Sequence, residues 1–160
     1  MEDETMFDFE DGNGPVPAHR HRNGGGWVAD SATVAPTVSV EEGALVYGGA
    51  TVCDTVRLGP GTRVYGRALL EGSLILYRGA VIDRTPIIVT NLFEWSVVLI
   101  KSPERMVAIG CEVYMPEHWR KHAPEIARRN SATPGSVPKL MTLLDLVYGK
   151  PRKPRAKKKS

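Results

Sequence analysis

The chain has 160 residues, of which 42% are hydrophobic and 24% charged, with a formal net charge of +3. That length suits one domain with appendages, and the chain carries neither a long apolar run nor a signal-peptide pattern, so a cytoplasmic protein with no membrane partner is expected. Cys53 and Cys111 are the only cysteines, which excludes a zinc site built from cysteines and favours free thiols over a disulfide.

Charge is concentrated at the ends. Residues 1–11 hold six acids (Glu2, Asp3, Glu4, Asp8, Glu10, Asp11) and no base, which predicts a solvated acidic tail. Residues 12–27 are rich in Gly, Pro and charge and contain AHRHRNGGGW, from Ala18 to Trp27. They read as an extended N-terminal cap in which Gly24, Gly25 and Gly26 let the chain turn onto the first regular element.

From Val28 an aliphatic residue recurs every six positions: Val28, Val34, Val40, Val46, Val52, Leu58, Val64, Leu70, Leu76, Ile82 and Ile88. Two places before each stands a small or slim residue, with Leu74 and Pro86 as departures. Residues two apart in a strand share a face, so both sets point inward. Gly43, Gly48, Gly49, Gly61, Gly66, Gly72 and Gly79, with Pro36 and Pro60, supply the corners. A fixed period of six predicts a β-solenoid with three short strands per coil over residues 28–90.

Beyond Ile88 the frame fails, and residues 91–149 read as a separate strand-plus-helix module. Ile87–Thr90, Trp95–Ile100 and Met106–Ile109 are expected to form two or three antiparallel strands that close the far end. Pro116 opens a short helix, 117–123, which Pro124 should interrupt, with 125–130 continuing in a new direction. A final helix over 137–148 is expected, with Ser136 as N-cap and Leu140, Leu143, Leu144 and Val147 at helical spacing. Residues 150–160 carry seven bases and no acid, a basic disordered tail that could attract nucleic acid without reading its sequence.

The six-residue motif of residues 28–88 resembles the hexapeptide-repeat family. That resemblance implies a mainly β fold: a short left-handed parallel β-helix of between three and four coils, here with a small C-terminal α/β cap. It also implies a homotrimer with parallel axes. The runs AHRHRNGGGWVAD and NLFEWSVVLI…MVAIGCEVY…HW resemble phage and prophage proteins with short hexapeptide solenoids and a C-terminal module. This second resemblance implies viral origin, and residence in the cytoplasm of an infected or lysogenic bacterium, more than any activity.

Many hexapeptide-repeat proteins are acyltransferases or zinc enzymes that use histidines on their coils, and no histidine lies between Trp27 and Ile88. His19 and His21 alternate in an extended segment and so are the metal candidates, but a third ligand is missing and Arg20 and Arg22 would repel a cation. A capping role for these histidines is the favoured reading, and no cofactor is predicted. His118 and His122 lie four apart on a helix, where a packed or solvated face is expected.

On the outward positions, Trp27, Leu45, Arg63 and Val81 form one column and Ala29, Tyr47, Tyr65 and Asp83 its neighbour. An aromatic outer face needs cover, so Trp27, Leu45, Tyr47, Tyr65 and Val81 are the expected subunit interface, unless the C-terminal helix covers them. Leu69, Ile87 and Val89 on a second face are expected to touch the C-terminal cap. Arg20, His21, Arg22, Tyr47, Arg57, Arg63 and Tyr65 are the candidate contacts for a small anionic, nucleotide-like ligand, since guanidinium groups pair with phosphate and glycine admits backbone N–H groups. The function expected is non-catalytic binding of such a ligand or of a host or viral protein. The alternatives are an acyltransferase using His21 at a subunit boundary and a virion spacer.

Overall fold

The computed structural model describes residues 5–90 and 95–152. Three short elements open the chain: β1 (Met6–Phe7), β2 (Val16–Arg20) and β3 (Trp27–Ala29). Nine two-residue strands follow: β4 (Thr33–Val34), β5 (Ser39–Val40), β6 (Leu45–Val46), β7 (Thr51–Val52), β8 (Arg57–Leu58), β9 (Arg63–Val64), β10 (Leu69–Leu70), β11 (Ile75–Leu76) and β12 (Val81–Ile82). The parallel ladders β3-β6-β9-β12, β4-β7-β10 and β5-β8-β11 form three faces of a solenoid of about three turns. Each residue pairs with the one eighteen positions on, as in Trp27 with Leu45 and Leu45 with Arg63.

The inward frame residues Val40, Val46, Val52, Leu58, Val64, Leu70, Leu76 and Ile82 are all buried, and the slim set from Val38 to Ala80 packs beside them. Each such aliphatic side chain contributes about 1.5–3 kcal/mol of burial, before the entropy cost of ordering. Thr62, the polar member of the slim set, is also buried and donates to the Leu76 carbonyl at 3.2 Å. Leu74 departs from the slim pattern yet is buried in the same core. On the third face Tyr77 lies across Gly59, where a Cβ would come within 1.8 Å of the ring, and its hydroxyl donates to Glu41 at 3.0 Å.

The eleventh frame residue, Ile88, leaves the ladder. Its strand, β13 (Ile87–Val89), pairs antiparallel with β14 (Val97–Ile100), and β15 (Met106–Ile109) and β16 (Glu112–Tyr114) complete a four-stranded sheet. Above β10 the Thr85 hydroxyl takes the place of a strand and accepts from the Leu69 amide at 3.1 Å. The sheet lies between two cores. Val98, Ile100, Ala108 and Val113 join the solenoid interior, while Val97, Leu99 and Val107 face the helices.

Those helices are α1 (Pro116–Arg129) and α2 (Ser136–Tyr148). The helix expected to break at Pro124 is continuous. Trp119, Ala123 and Ile126 bury one stripe of α1 on both sides of the proline, and Trp119 Nε1 donates to the Val107 carbonyl at 2.9 Å. That burial outweighs the roughly 3 kcal/mol a mid-helix proline costs. The strand count also rises to four, because Gly110, at φ +57°, turns the chain back into β16. The N-cap of α2 is Gly135 rather than Ser136, whose hydroxyl donates instead to the Thr133 carbonyl.

The acidic N-terminus differs most from expectation over its described residues. Phe7 and Phe9 alternate with Asp8 and Glu10, and β1 pairs antiparallel with β2. The Asp8 carboxylate accepts from the Glu10 amide and the Asp11 carboxylate from the Asn13 amide, two local turns that send the chain back into β2. The Asn13 side chain and amide hold the Asp11 carboxyl below its ordinary pKa. Phe9 is fully buried, so these residues are docked rather than solvated, and two aromatic side chains outweigh the local charge. Residues 1–4, and residues 153–160 of the basic tail, lie outside the described residues.

Candidate functional site

The face offered by the sequence as a subunit interface is covered in part by the chain itself. Phe7 stacks on Trp27 with centroids 4.4 Å apart, and Phe9 stacks on Tyr47 at 4.9 Å. Tyr47 in turn stacks on Tyr65 at 5.0 Å with the rings 6° from parallel. In this column the coil below Tyr47 carries Ala29, and Phe9 packs with Ala29 and Tyr47 in the ring space that alanine leaves. Tyr47 is buried, which pushes its phenol pKa up, and Trp27, Leu45, Tyr65 and Val81 are half-buried. The N-terminal segment thus covers Tyr47 and one side of Trp27, while Leu45, Tyr65 and Val81 stay half-buried in the single chain.

The candidate ligand contacts are brought together only in part: Arg63 lies beside Tyr47, which stacks on Tyr65, and Arg20 stands in the same sheet, while Arg57 does not. The Arg20 guanidinium sits 4.5 Å above the Trp27 ring and donates to the Gly25 carbonyl at 2.7 Å. Arg63 meets Glu10 at 3.5 Å on the aromatic face, and Arg57 lies 3.8 Å from Glu41 on another face. Arg22 is exposed. The triple glycine has a structural use: a Cβ on Gly24 or Gly26 would come within 2.4 or 2.5 Å of the backbone oxygens of Val40 or Glu41. The Gly25 and Gly26 amides donate to His21 and Val40 carbonyls, so the loop seals the edge of β5 instead of cradling an anion.

His19 and His21 also part company. His19 is exposed and pairs with Asp30 at 2.7 Å, while His21 is buried with Nδ1 3.2 Å from the backbone oxygen and 3.3 Å from the backbone nitrogen of Asn23. Among the described residues no group of three His, Cys, Asp or Glu is placed to hold a metal.

The face built from β4, β7 and β10 is different. Its outward positions are Thr33, Thr51 and Leu69 in one column and Ala35, Cys53 and Glu71 in the next, slim residues with a single carboxylate. Leu69 is 37% exposed and Ile87, next in the frame, is 42% exposed. Of the three residues expected at the cap, Ile87 and Val89 pair with Leu99 and Val97 of β14, and Val89 also packs against the helical core.

A charged cluster joins the solenoid to the module. Glu112, nearly buried, accepts from Arg129 of α1 at 2.7 Å and from the Tyr114 hydroxyl at 2.7 Å, with Arg78 of a solenoid corner at 3.7 Å. Two guanidinium groups and a phenol offset the cost of burying this carboxylate. Donating to Glu112 raises the Tyr114 pKa. His118 stacks on Tyr114 at 4.1 Å and His122 follows at 4.5 Å, a packed helix face. Sequence reasoning missed this cluster, since Arg78, Glu112 and Arg129 share no spacing. The missed N-terminal cover did leave a signal, the Phe-acid-Phe alternation of residues 7–9.

Comparison with protein-family models, with curated proteins and with solved structures found no match. The stacked-coil β-solenoid rests on its own geometry. No described helix is long and apolar enough to cross a membrane.

Proposed function

We propose that the chain is a non-catalytic binding protein of the hexapeptide-repeat kind and of viral origin, which acts as a homotrimer on a host or viral partner. The observation that carries this reading is the bare face of β4, β7 and β10. It is slim, carries one carboxylate and leaves Leu69 exposed, whereas the aromatic face is already partly covered by Phe7 and Phe9. A second copy of the chain is the occupant proposed for it, because a flat face without bulky side chains lets two solenoids approach closely. On this proposal the subunit contact is made by Thr33, Thr51 and Leu69 rather than by the Trp27, Leu45, Tyr47, Tyr65 and Val81 columns. The enclosure of His21 speaks against a catalytic base there.

Native mass spectrometry tests the proposal. The wild-type chain is expected as a trimer and Leu69→Arg, at an exposed site that leaves the core intact, as a monomer. A wild-type monomer, or an unchanged trimer in Leu69→Arg, would overturn the assignment. Acyl-CoA turnover that disappears in His21→Ala would overturn the non-catalytic reading.

A further inference from the structure

We infer that the C-terminal module holds a binding site for a small, neutral, single-ring organic molecule. The site is a half-open cavity of about 180 Å³ between the β15–β16 turn, α1 and the start of α2. Trp95, Trp119, Ile126 and Leu140 form its apolar walls. Its volume comes from small residues at positions where larger ones would close it: Ala123 and Ala127, one helical turn apart on α1, with Gly110 and with Ala132, whose amide donates to the Ala127 carbonyl at 2.9 Å. The same helix packs Trp119 and Ile126 tightly nearby, so the space is confined to where alanine stands. Trp95 rises beside Gly110, its ring 3.7 Å from where a Cβ would be, and stays 37% exposed. A ligand in the cavity would bring that indole out of water.

Size and charge select the ligand. A dry apolar cavity of ~150 Å³ accepts a benzene ring, so this one has room for a ring with a short substituent, well below the usual ~300–1,000 Å³ of larger ligand pockets. The polar side chains of the lining are committed elsewhere. Glu112 is held by Arg129 and Tyr114, Asn130 Nδ2 donates to the Ile126 carbonyl, Ser136 to the Thr133 carbonyl and Trp119 Nε1 to the Val107 carbonyl. Among the described residues the lining offers no guanidinium or ammonium group, so an anionic ligand would surrender its hydration beside the Glu112 carboxylate, whereas a neutral ring gains from leaving water. The Cys111 thiol, exposed at the rim, reports occupancy.

Toluene and benzoate, similar in shape and opposite in charge character, test the site on the full chain carrying Cys53→Ser. Toluene is expected to raise Tm by about 2–5 °C and to slow alkylation of Cys111 saturably, by about tenfold near saturation. Benzoate is expected to do neither. Ala127→Phe, which fills the cavity with a ring of its own, is expected to abolish both effects, and Ala132→Leu serves the same purpose should the first variant fail to fold. No response to toluene, an equal response to benzoate, or an undiminished response in the filled variant would overturn the site.

Discussion

At its N-terminal end the solenoid is sealed edge to edge, whereas at the far end a separate sheet lies across the core. β2 extends the β3 ladder antiparallel, and the 21–26 loop exchanges backbone hydrogen bonds with Val40. The far end is roofed by β13 to β16, with Val98, Ile100, Ala108 and Val113 pressed into the open core. The difference follows from what each end exposes. Strand edges need backbone donors and acceptors, which a Gly-rich segment can bring close. An open core needs apolar side chains, and a roof that also carries helices must be apolar on both faces, as the wholly buried strand Val97–Ile100 is.

The roof is the more fragile of the two closures. Ile100→Asp would place a carboxylate between the solenoid core and the sheet, and a loss of more than about 4 kcal/mol is expected in urea denaturation. A loss under about 1 kcal/mol would show that the roof is dispensable. The N-terminal closure is expected to fail locally. Phe9→Ala should cost about 3 kcal/mol and leave the aromatic column open. Hydrogen exchange should then speed up at the Ala18 amide, which donates to Thr5, while β14 and β15 keep their protection. Equal deprotection at both ends would break the comparison.

A smaller effect sharpens it. The Tyr148 hydroxyl, at the end of α2, lies 2.9 Å from the carbonyl oxygens of both Ile100 and Met106 and shares its one proton between them, and burial pushes its pKa up to about 12. The folded state thus favours the neutral phenol. That contribution is fully present below about pH 10, the ordinary tyrosine value, and is lost as pH rises to about 12. Tyr148→Phe should flatten this alkaline loss of stability in denaturation curves at successive pH values, at a cost of about 1 kcal/mol at neutral pH.

The same contrast governs what could be read from the sequence. The solenoid was legible because every coil repeats one spatial demand, an aliphatic residue inside and a slim one two places before it. Its end was legible less sharply: Ile88 keeps the beat, yet Thr85 occupies the ladder and β13 turns to β14. The N-terminal segment was hidden by its six acids, although Phe7 and Phe9 alternate as a half-buried strand should. Pro124 misled because its penalty is local while the burial of Trp119, Ala123 and Ile126 depends on the tertiary fold. Of the candidate contacts chosen by residue type, Arg20 and Arg63 share one sheet while Arg57 stands on another, and each has a partner of its own that spacing along the chain does not reveal. The cavity beside Ala127 left no pattern at all, since it arises from small residues on separate elements.

The proposal that the β4-β7-β10 face meets a second copy can be tested directly by carbene footprinting of the wild-type protein at working concentration. Leu69 and Ile75 have similar exposure in the single chain, at 37% and 40%, but Ile75 stands on the β5-β8-β11 face. The account predicts that Leu69 is protected while Ile75 reacts freely. Equal labelling of the two would contradict it.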